Sequence, residues 1–178
     1  MKKLINVICA IAACAAVSTA VAGPAQQDVG TNAPAATIKL KVVKVDSEET
    51  AGENGSATNA VDGNTNTFWH TQWQDGEPPC PHEIIIELIP PSAIAGFTYL
   101  PRQDDSDHGD IKEYEFYAGD DYQKFGPAVK KGTFDESKDK KTVKLDTLTC
   151  RYIKLKALSE INGEAWTSAA EIGVIPAQ

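Results

Sequence analysis

From Thr37 onward the chain is written in period two. Ile38, Leu40 and Val42 alternate with Lys39 and Lys41, the pattern of a strand with one buried face, and Val43 then breaks the alternation as a bulge would. Similar runs follow at Glu83–Ile89, Ile94–Leu100, Ile111–Ala118, Ala128–Phe134, Thr142–Leu148, Arg151–Leu158 and Ala169–Ile175. Each is bounded by segments rich in Gly, Pro, Asp or Asn, and the sequence shows no amphipathic helix between them. About eight short strands need a second layer to cover their apolar faces. The sequence therefore predicts an all-β sandwich or jelly roll of two packed antiparallel sheets.

The residues before Thr37 read differently. Lys2 and Lys3 precede an apolar run from Leu4 to Val17, and Ala20-Val21-Ala22 supplies the small-x-small pattern ahead of Gly23. That is the form of a secretory signal over residues 1–22. Ile11-Ala12-Ala13-Cys14 also has the form of a lipobox, with Cys14 acylated as a surface anchor. The residues after Cys14 stay apolar up to Ala22, which favours cleavage after Ala22. Residues 23–36, rich in Gly, Ala, Pro, Gln and Asn, read as a flexible lead, leaving the domain at 37–178. Secretion, or retention in the periplasm or on the cell surface, is the expected location.

Removing such a leader takes away two lysines and no acid, moving the formal charge from −8 to −10. Phosphate backbones are poor partners for that balance, so no nucleic acid is expected. No later stretch is long and apolar enough for a spanning helix, and no direct membrane insertion of the domain is expected. Cys80 and Cys150 remain; an oxidising compartment permits a bridge between them, and two separate buried thiols fit equally well.

Two long polar connections, Asp46 to Pro81 and Arg102 to Asp110, carry the chemistry-bearing side chains, as loops on rigid β scaffolds commonly do. In the first, short oxygen-bearing residues cluster around Gly63. Asp62, Asn64 and Thr67 suit a hard cation such as calcium. The spacing is not that of an EF-hand, because Thr67 stands at its sixth position and Trp73 at its twelfth. A cluster of Asx turns without a metal is the other reading of the same residues. The Lys138–Lys141 stretch reads as a solvated hairpin tip.

The segment Ala60-Val-Asp-Gly-Asn-x-x-Thr-x-Trp69 resembles the opening signature of the coagulation-factor type C, or discoidin-like, family. Pro81-His-Glu-Ile-Ile-Ile-Glu-Leu, Phe97-Thr-Tyr-Leu-Pro-Arg-Gln-Asp, Gly109-Asp-Ile-Lys-Glu-Tyr-Glu-Phe-Tyr, Arg151-Tyr-Ile-Lys-Leu and Trp166-Thr-Ser-Ala-Ala-Glu-Ile extend the resemblance in order. Within the family the chain is most similar to bacterial galactose-binding carbohydrate modules. That implies a galactose-binding-domain-like jelly roll and a structural Ca2+ held by the Asn59 carbonyl, Asp62, Asn64, Thr67, the Ala170 carbonyl and Glu171.

The resemblance also implies a glycan site. His70 and Arg102 would grip sugar hydroxyls, with Asp107 standing where the family usually has Asn; a carboxylate accepts but cannot donate. A sugar ring also wants an aromatic face, for which Trp73 is the candidate. Asn162 lies where such modules often carry a further contact. Trp166 is expected under the last strand, Phe68 and Trp69 in the core, and His82 and His108 as ordinary loop or strand-end residues. His70 bonding loop backbone, Arg102 pairing with Asp104 or Asp105, and Asp107 capping a turn remain the plain structural alternatives.

Nothing singles out an enzyme. There is no Gly-x-Ser-x-Gly elbow, no phosphate-cradling loop and no carboxylate pair set apart from the rest. The expectation is a non-catalytic, calcium-stabilised binding module for galactose-type or related glycans, acting alone or beside a partner protein or enzyme. The same fold used for protein or cell-surface adhesion is the alternative.

Overall fold

A computed structural model describes residues 37–178; the expected signal peptide and lead, and Cys14 with them, lie outside the described residues. Eight strands follow in order: β1 (Lys39–Val45), β2 (Trp69–His70), β3 (His82–Leu100), β4 (Glu113–Gly119), β5 (Lys130–Thr133), β6 (Lys141–Ala157), β7 (Ser168–Ala169) and β8 (Glu171–Pro176). A single 3-10 turn, Ala57–Val61, interrupts them. Every strand pairing is antiparallel, in the order β1-β3-β6-β4-β5 with β8 also on β3, while β2 and β7 form a small separate pair.

The bulge expected at Val43 is present, as a register shift between Val42 and Lys44. The total of eight matches the sequence reading, but the division into strands differs, with two pairs of runs merged, the last run split and the short β2 added. The runs 83–89 and 94–100 are one strand, β3, and the runs 142–148 and 151–158 are one strand, β6. Glu87 pairs with Tyr152 and Ser92 with Cys150, so β3 advances five residues while β6 advances two. Bulges of this kind bend both partners without ending the ladder. The two halves of each long strand thus form the two facing layers of the jelly roll. The last run, by contrast, divides at Ala170 into β7 and β8.

The layers close on an aromatic column. Phe97 of β3 stacks on Phe116 of β4 with ring centroids 4.0 Å apart and planes at 2°. Tyr114 and Tyr99 stack on Phe134 at 4.2 and 5.0 Å. Ile84, Ile86, Leu88, Ile94, Ile153, Leu155 and Ile172 fill the space around them, all buried, each side chain worth ~1.5–3 kcal/mol of transfer free energy. Cys80 and Cys150 are free thiols. Cys150 is buried opposite Ser92, whereas Cys80 precedes β3 and its thiol donates to the Ala165 carbonyl at 3.5 Å.

Both ends of β3 open on the same pole. His82 begins it opposite Ala157, and Leu100 ends it opposite Glu171. The bend between them lies at the other pole, where β1 enters with Lys39 opposite Ile89 and β8 leaves with Pro176 opposite Ile94.

Candidate functional site

The pole at the two ends of β3 is built by loops that buried polar groups hold together. Glu49 is 1% exposed, yet its carboxylate accepts four backbone N–H groups. Oε1 takes Ala51 at 2.7 Å and Gly52 at 2.8 Å; Oε2 takes Trp73 at 2.9 Å and Gln74 at 2.7 Å. These donors, Gly52 foremost and then Gln74 and Trp73, hold its pKa down to about 2. One acid thereby staples the 49–52 segment to 73–74. The Trp73 indole lies directly over Gly52, where an added β-carbon would stand 2.5 Å from the ring's Cη2. Trp73 keeps 39% of its surface exposed and donates Nε1–H to Glu53 Oε1 at 2.9 Å.

His70 closes β2 in a buried position, with Nδ1 2.6 Å from the Thr71 carbonyl. Burial lowers its pKa, outweighing the Thr71 carbonyl, so the neutral ring carries its proton on Nδ1 and offers Nε2 as an acceptor. Arg102 follows β3 and is 8% exposed. Its Nε and Nη2 form a fork on Asp104 at 2.7 and 2.6 Å, Nη1 faces the His108 carbonyl at 3.4 Å, and the guanidinium rests 4.2 Å from the centre of the Phe68 ring. The sequence alternative of an Arg102–Asp104 pair is realised, and Phe68 serves as a half-buried seat for Arg102 rather than as full core.

The 102–110 loop is fixed at both ends. Gly109 has φ +85° and lies so close to β7 that a β-carbon there would meet Ser168 N at 2.7 Å. Beyond it, Lys138 Nζ donates to the Ser106 carbonyl at 2.6 Å and to Asp110 Oδ2 at 2.7 Å. Lys141 Nζ is likewise held by Asp135 and Ser137. The two ends of the Lys138–Lys141 stretch are therefore docked, because the loop's carbonyl and the buried Asp110 need a donor and a counter-charge, while Asp139 and Lys140 between them are exposed as a solvated tip would be.

His82 does similar work on the last wall. Its Nδ1 lies 2.8 Å from Asp46 Oδ2, and Nε2 lies 2.8 Å from the Ala165 carbonyl and 3.1 Å from that of Pro78. Burial pulls its pKa down, but the Asp46 carboxylate and the two carbonyls outweigh it and push it up. The ring thus anchors the backbone next to Trp166. It is more than an ordinary strand-end residue.

Between these loops is a cavity of about 290 Å³, near the small end of ligand pockets and suited to one ring rather than a chain. Three of the expected residues, His70, Trp73 and Arg102, line it together. Asp107 and Asn162 are outside the lining. Asp107 is exposed and offers its carbonyl to the Asp110 N–H at 3.0 Å; Asn162 is turned onto Glu160, giving it N–H at 2.6 Å and Nδ2 at 3.2 Å. Glu160 is nearly inaccessible, so the neighbouring donors satisfy its carboxylate first.

The lining also holds Glu53, Ser106, His108 and Trp166. Trp166 stands against His108 at 5.0 Å and His70 at 6.2 Å between ring centroids, so it walls the cavity instead of lying under the last strand. His108 joins that wall. Glu53 sits in the polar connection the sequence singled out, but no spacing separates it from its acidic neighbours.

The second constellation gathers by the 3-10 turn. Asp62 Oδ1 accepts the Asn64 N–H at 2.8 Å, and Thr67 Oγ1 lies 2.8 Å from both Asp62 Oδ2 and the Asn64 carbonyl. Asn59 is buried beneath, its Nδ2 donating to the Asn54 and Phe68 carbonyls at 2.8 and 3.0 Å. Ala170, between β7 and β8, is fully buried and donates its N–H to Leu100. Glu171 Oε1 is buried with no hydrogen-bond partner. Burial raises the Glu171 pKa and the adjacent Asp62 carboxylate adds to the rise, against the Gly63 and Asn64 N–H groups. Among the described residues no three His, Cys, Asp or Glu side chains converge as a metal cluster, so a cation here would rest on two carboxylates and neutral oxygens.

Comparison with known proteins agrees with this fold. The family model described as F5/8 type C domain matches residues 43–172. Galactose oxidase of Gibberella zeae is 35% identical over 130 residues, which are 72% of this chain and 19% of that protein. The chain spans about a fifth of the length of the curated relatives it matches first. The Clostridium perfringens module CpGH89CBM32-5, in complex with GalNAc-β-1,3-galactose, superposes with TM-score 0.68 at 34% identity, covering 78% of this chain and 94% of its own. The family 32 carbohydrate-binding module of C. perfringens NanJ, in complex with galactose, gives 0.65 at 29% identity, covering 76% and 92%.

Proposed function

The chain belongs to the F5/8 type C domain family, and from that premise we propose that it is a non-catalytic carbohydrate-binding module whose cavity takes a terminal galactose-type residue. The observation that carries the reading is the exposed Trp73 face set beside Glu53, His70 and Arg102. The apolar C–H face of a pyranose packs on a flat indole, while an imidazole nitrogen and a carboxylate accept from its hydroxyls and a guanidinium donates. Solved relatives that hold galactose or a GalNAc-galactose disaccharide support the ligand class. Glu53 is the one carboxylate of the lining, which favours binding over acid–base hydrolysis by a carboxylate pair. The leader expected at residues 1–22 would carry the module out of the cell.

Calcium forms the second part of the proposal. The donor set at the 3-10 turn is all oxygen, as calcium requires, and a buried Glu171 oxygen without a partner beside the Asp62 carboxylate suits a cation. Asp62 and Glu171 would supply its charge neutralisation, with Asn64, Thr67 and the carbonyls of Asn59 and Ala170 completing the oxygens. Its role would be to tie the first loop to β8.

Titration of the protein with galactose-terminated oligosaccharides, wild type beside Trp73→Ala, tests the sugar reading. Removing the platform should weaken binding about thirtyfold, equivalent to ~2 kcal/mol, in a protein that still unfolds cooperatively. Absence of binding across a glycan panel would transfer the assignment to protein or surface adhesion.

A further inference from the structure

Charge is distributed around the cavity so that the one guanidinium in its wall is already paired with a carboxylate, leaving one N–H on each of Nη1 and Nη2 for a hydroxyl. Arg102 gives the two parallel N–H groups of its fork to Asp104, at 2.7 and 2.6 Å, and points Nη1 toward the His108 carbonyl. A ligand carboxylate would therefore find neither an unpaired positive charge nor a free fork, the arrangement by which Arg binds carboxylates bidentately. Glu53 brings a negative charge into the lining. Only its Oε1 is engaged by a protein donor among the described residues, that of Trp73, so Oε2 is left for the ligand. Asp105 and Asp107 add exposed carboxylates on the adjoining loop, and neither has a basic side chain within ion-pair distance among the described residues. Lys138, which reaches the Ser106 carbonyl on that loop, is engaged by Asp110.

We propose that this cavity selects its sugar by charge, admitting uncharged galactopyranosides and turning away those that carry a carboxylate. The inference rests on the sugar-binding reading and narrows it to neutral glycan termini. His70 is consistent with it, since burial keeps the ring uncharged and leaves Nε2 an acceptor for a hydroxyl. A carboxylate ligand would meet the Glu53 carboxylate across a part-buried space, where like charges are screened less than at an open surface.

The test compares methyl galactopyranoside with methyl galactopyranosiduronate, which share a ring and differ at C6 by one charge, using calorimetric titration of the whole protein. The uronate should bind roughly tenfold more weakly at low ionic strength, and the ratio should shrink as salt is raised. Glu53→Gln should also narrow the ratio, whatever it does to the two absolute affinities. Equal or tighter binding of the uronate overturns the inference and leaves a saccharide site standing. A ratio indifferent to both salt and Glu53→Gln overturns it too, since the exclusion would then be steric. Silence toward both sugars overturns the inference together with the sugar reading beneath it.

Discussion

Glu49 holds two loops together only while it is ionised. Its folded pKa of about 2 lies below the ordinary 4.5, so the stability it contributes is full above about pH 4.5 and is lost as the pH falls toward about 2. Glu49→Gln replaces one acceptor oxygen with an amide donor and leaves two of the four N–H groups facing it. The variant should be less stable than wild type at neutral pH in urea unfolding, and the two should converge as the pH approaches 2. A gap that persists there would mean that shape, and not charge, does the stapling.

Residues of this kind are hard to read from sequence. Glu49 acts on N–H groups 24 and 25 positions away, so its role exists only once the loops have met. His70 and Arg102 could be read because the family resemblance singled out their positions, and Trp73 because a sugar ring wants an aromatic face. Glu53, His108 and Trp166 could not, since which wall a loop side chain faces depends on how its loop closes. Asn162 shows the converse, because it sits at an expected position but the Glu160 carboxylate draws it away; Asp107 stays exposed on its loop, outside the lining.

At the scale of elements, alternation predicted where strands run but not where they join. Period two marks each apolar face; it is blind to a ladder that resumes beyond Pro90 and Pro91 because β3 itself carries the extra residues as a bulge. Charge patterning fell short in a related way at the connection from β5 to β6. Lys138 looks solvated in sequence, yet it supplies both a donor to Ser106 and the counter-charge of buried Asp110. Asp110 in turn takes the Ile161 N–H on its carbonyl, linking the loop that bears Arg102, Ser106 and His108 to the one leading to Trp166. Lys138→Ala should therefore weaken galactoside binding on the order of tenfold, as losses of supporting contacts do at other preorganised sites. Amide exchange across residues 103–109 should quicken, and Lys138→Arg should restore both. Unchanged exchange in Lys138→Ala would remove the brace from the account.

For the whole molecule, the all-β sandwich was legible because each apolar face demanded a partner layer, and the family motifs fell in the right order. Calcium belongs to this scale, because it would join the first loop to the last strand. If the ion links the turn at Asp62 to Glu171, chelation should lower the melting temperature; a hundredfold saturated site contributes about 2.7 kcal/mol, or roughly 5–10 °C for a domain of this size. Asp62→Ala should melt at the chelated temperature and be insensitive to chelator. An unchanged melt would leave the Asx-turn cluster as the full description of that loop.

The strands through which the described chain enters and leaves meet β3 near its bend, at Ile89 and Ile94, while the cavity lies at the far pole, roughly 20 Å away along the strand. A pull exerted through those two points is shared between the β1–β3 and β3–β8 ladders and passes beside the cavity, not across it. Tension applied at the two ends of the described domain would thus leave the loops around the cavity unstrained.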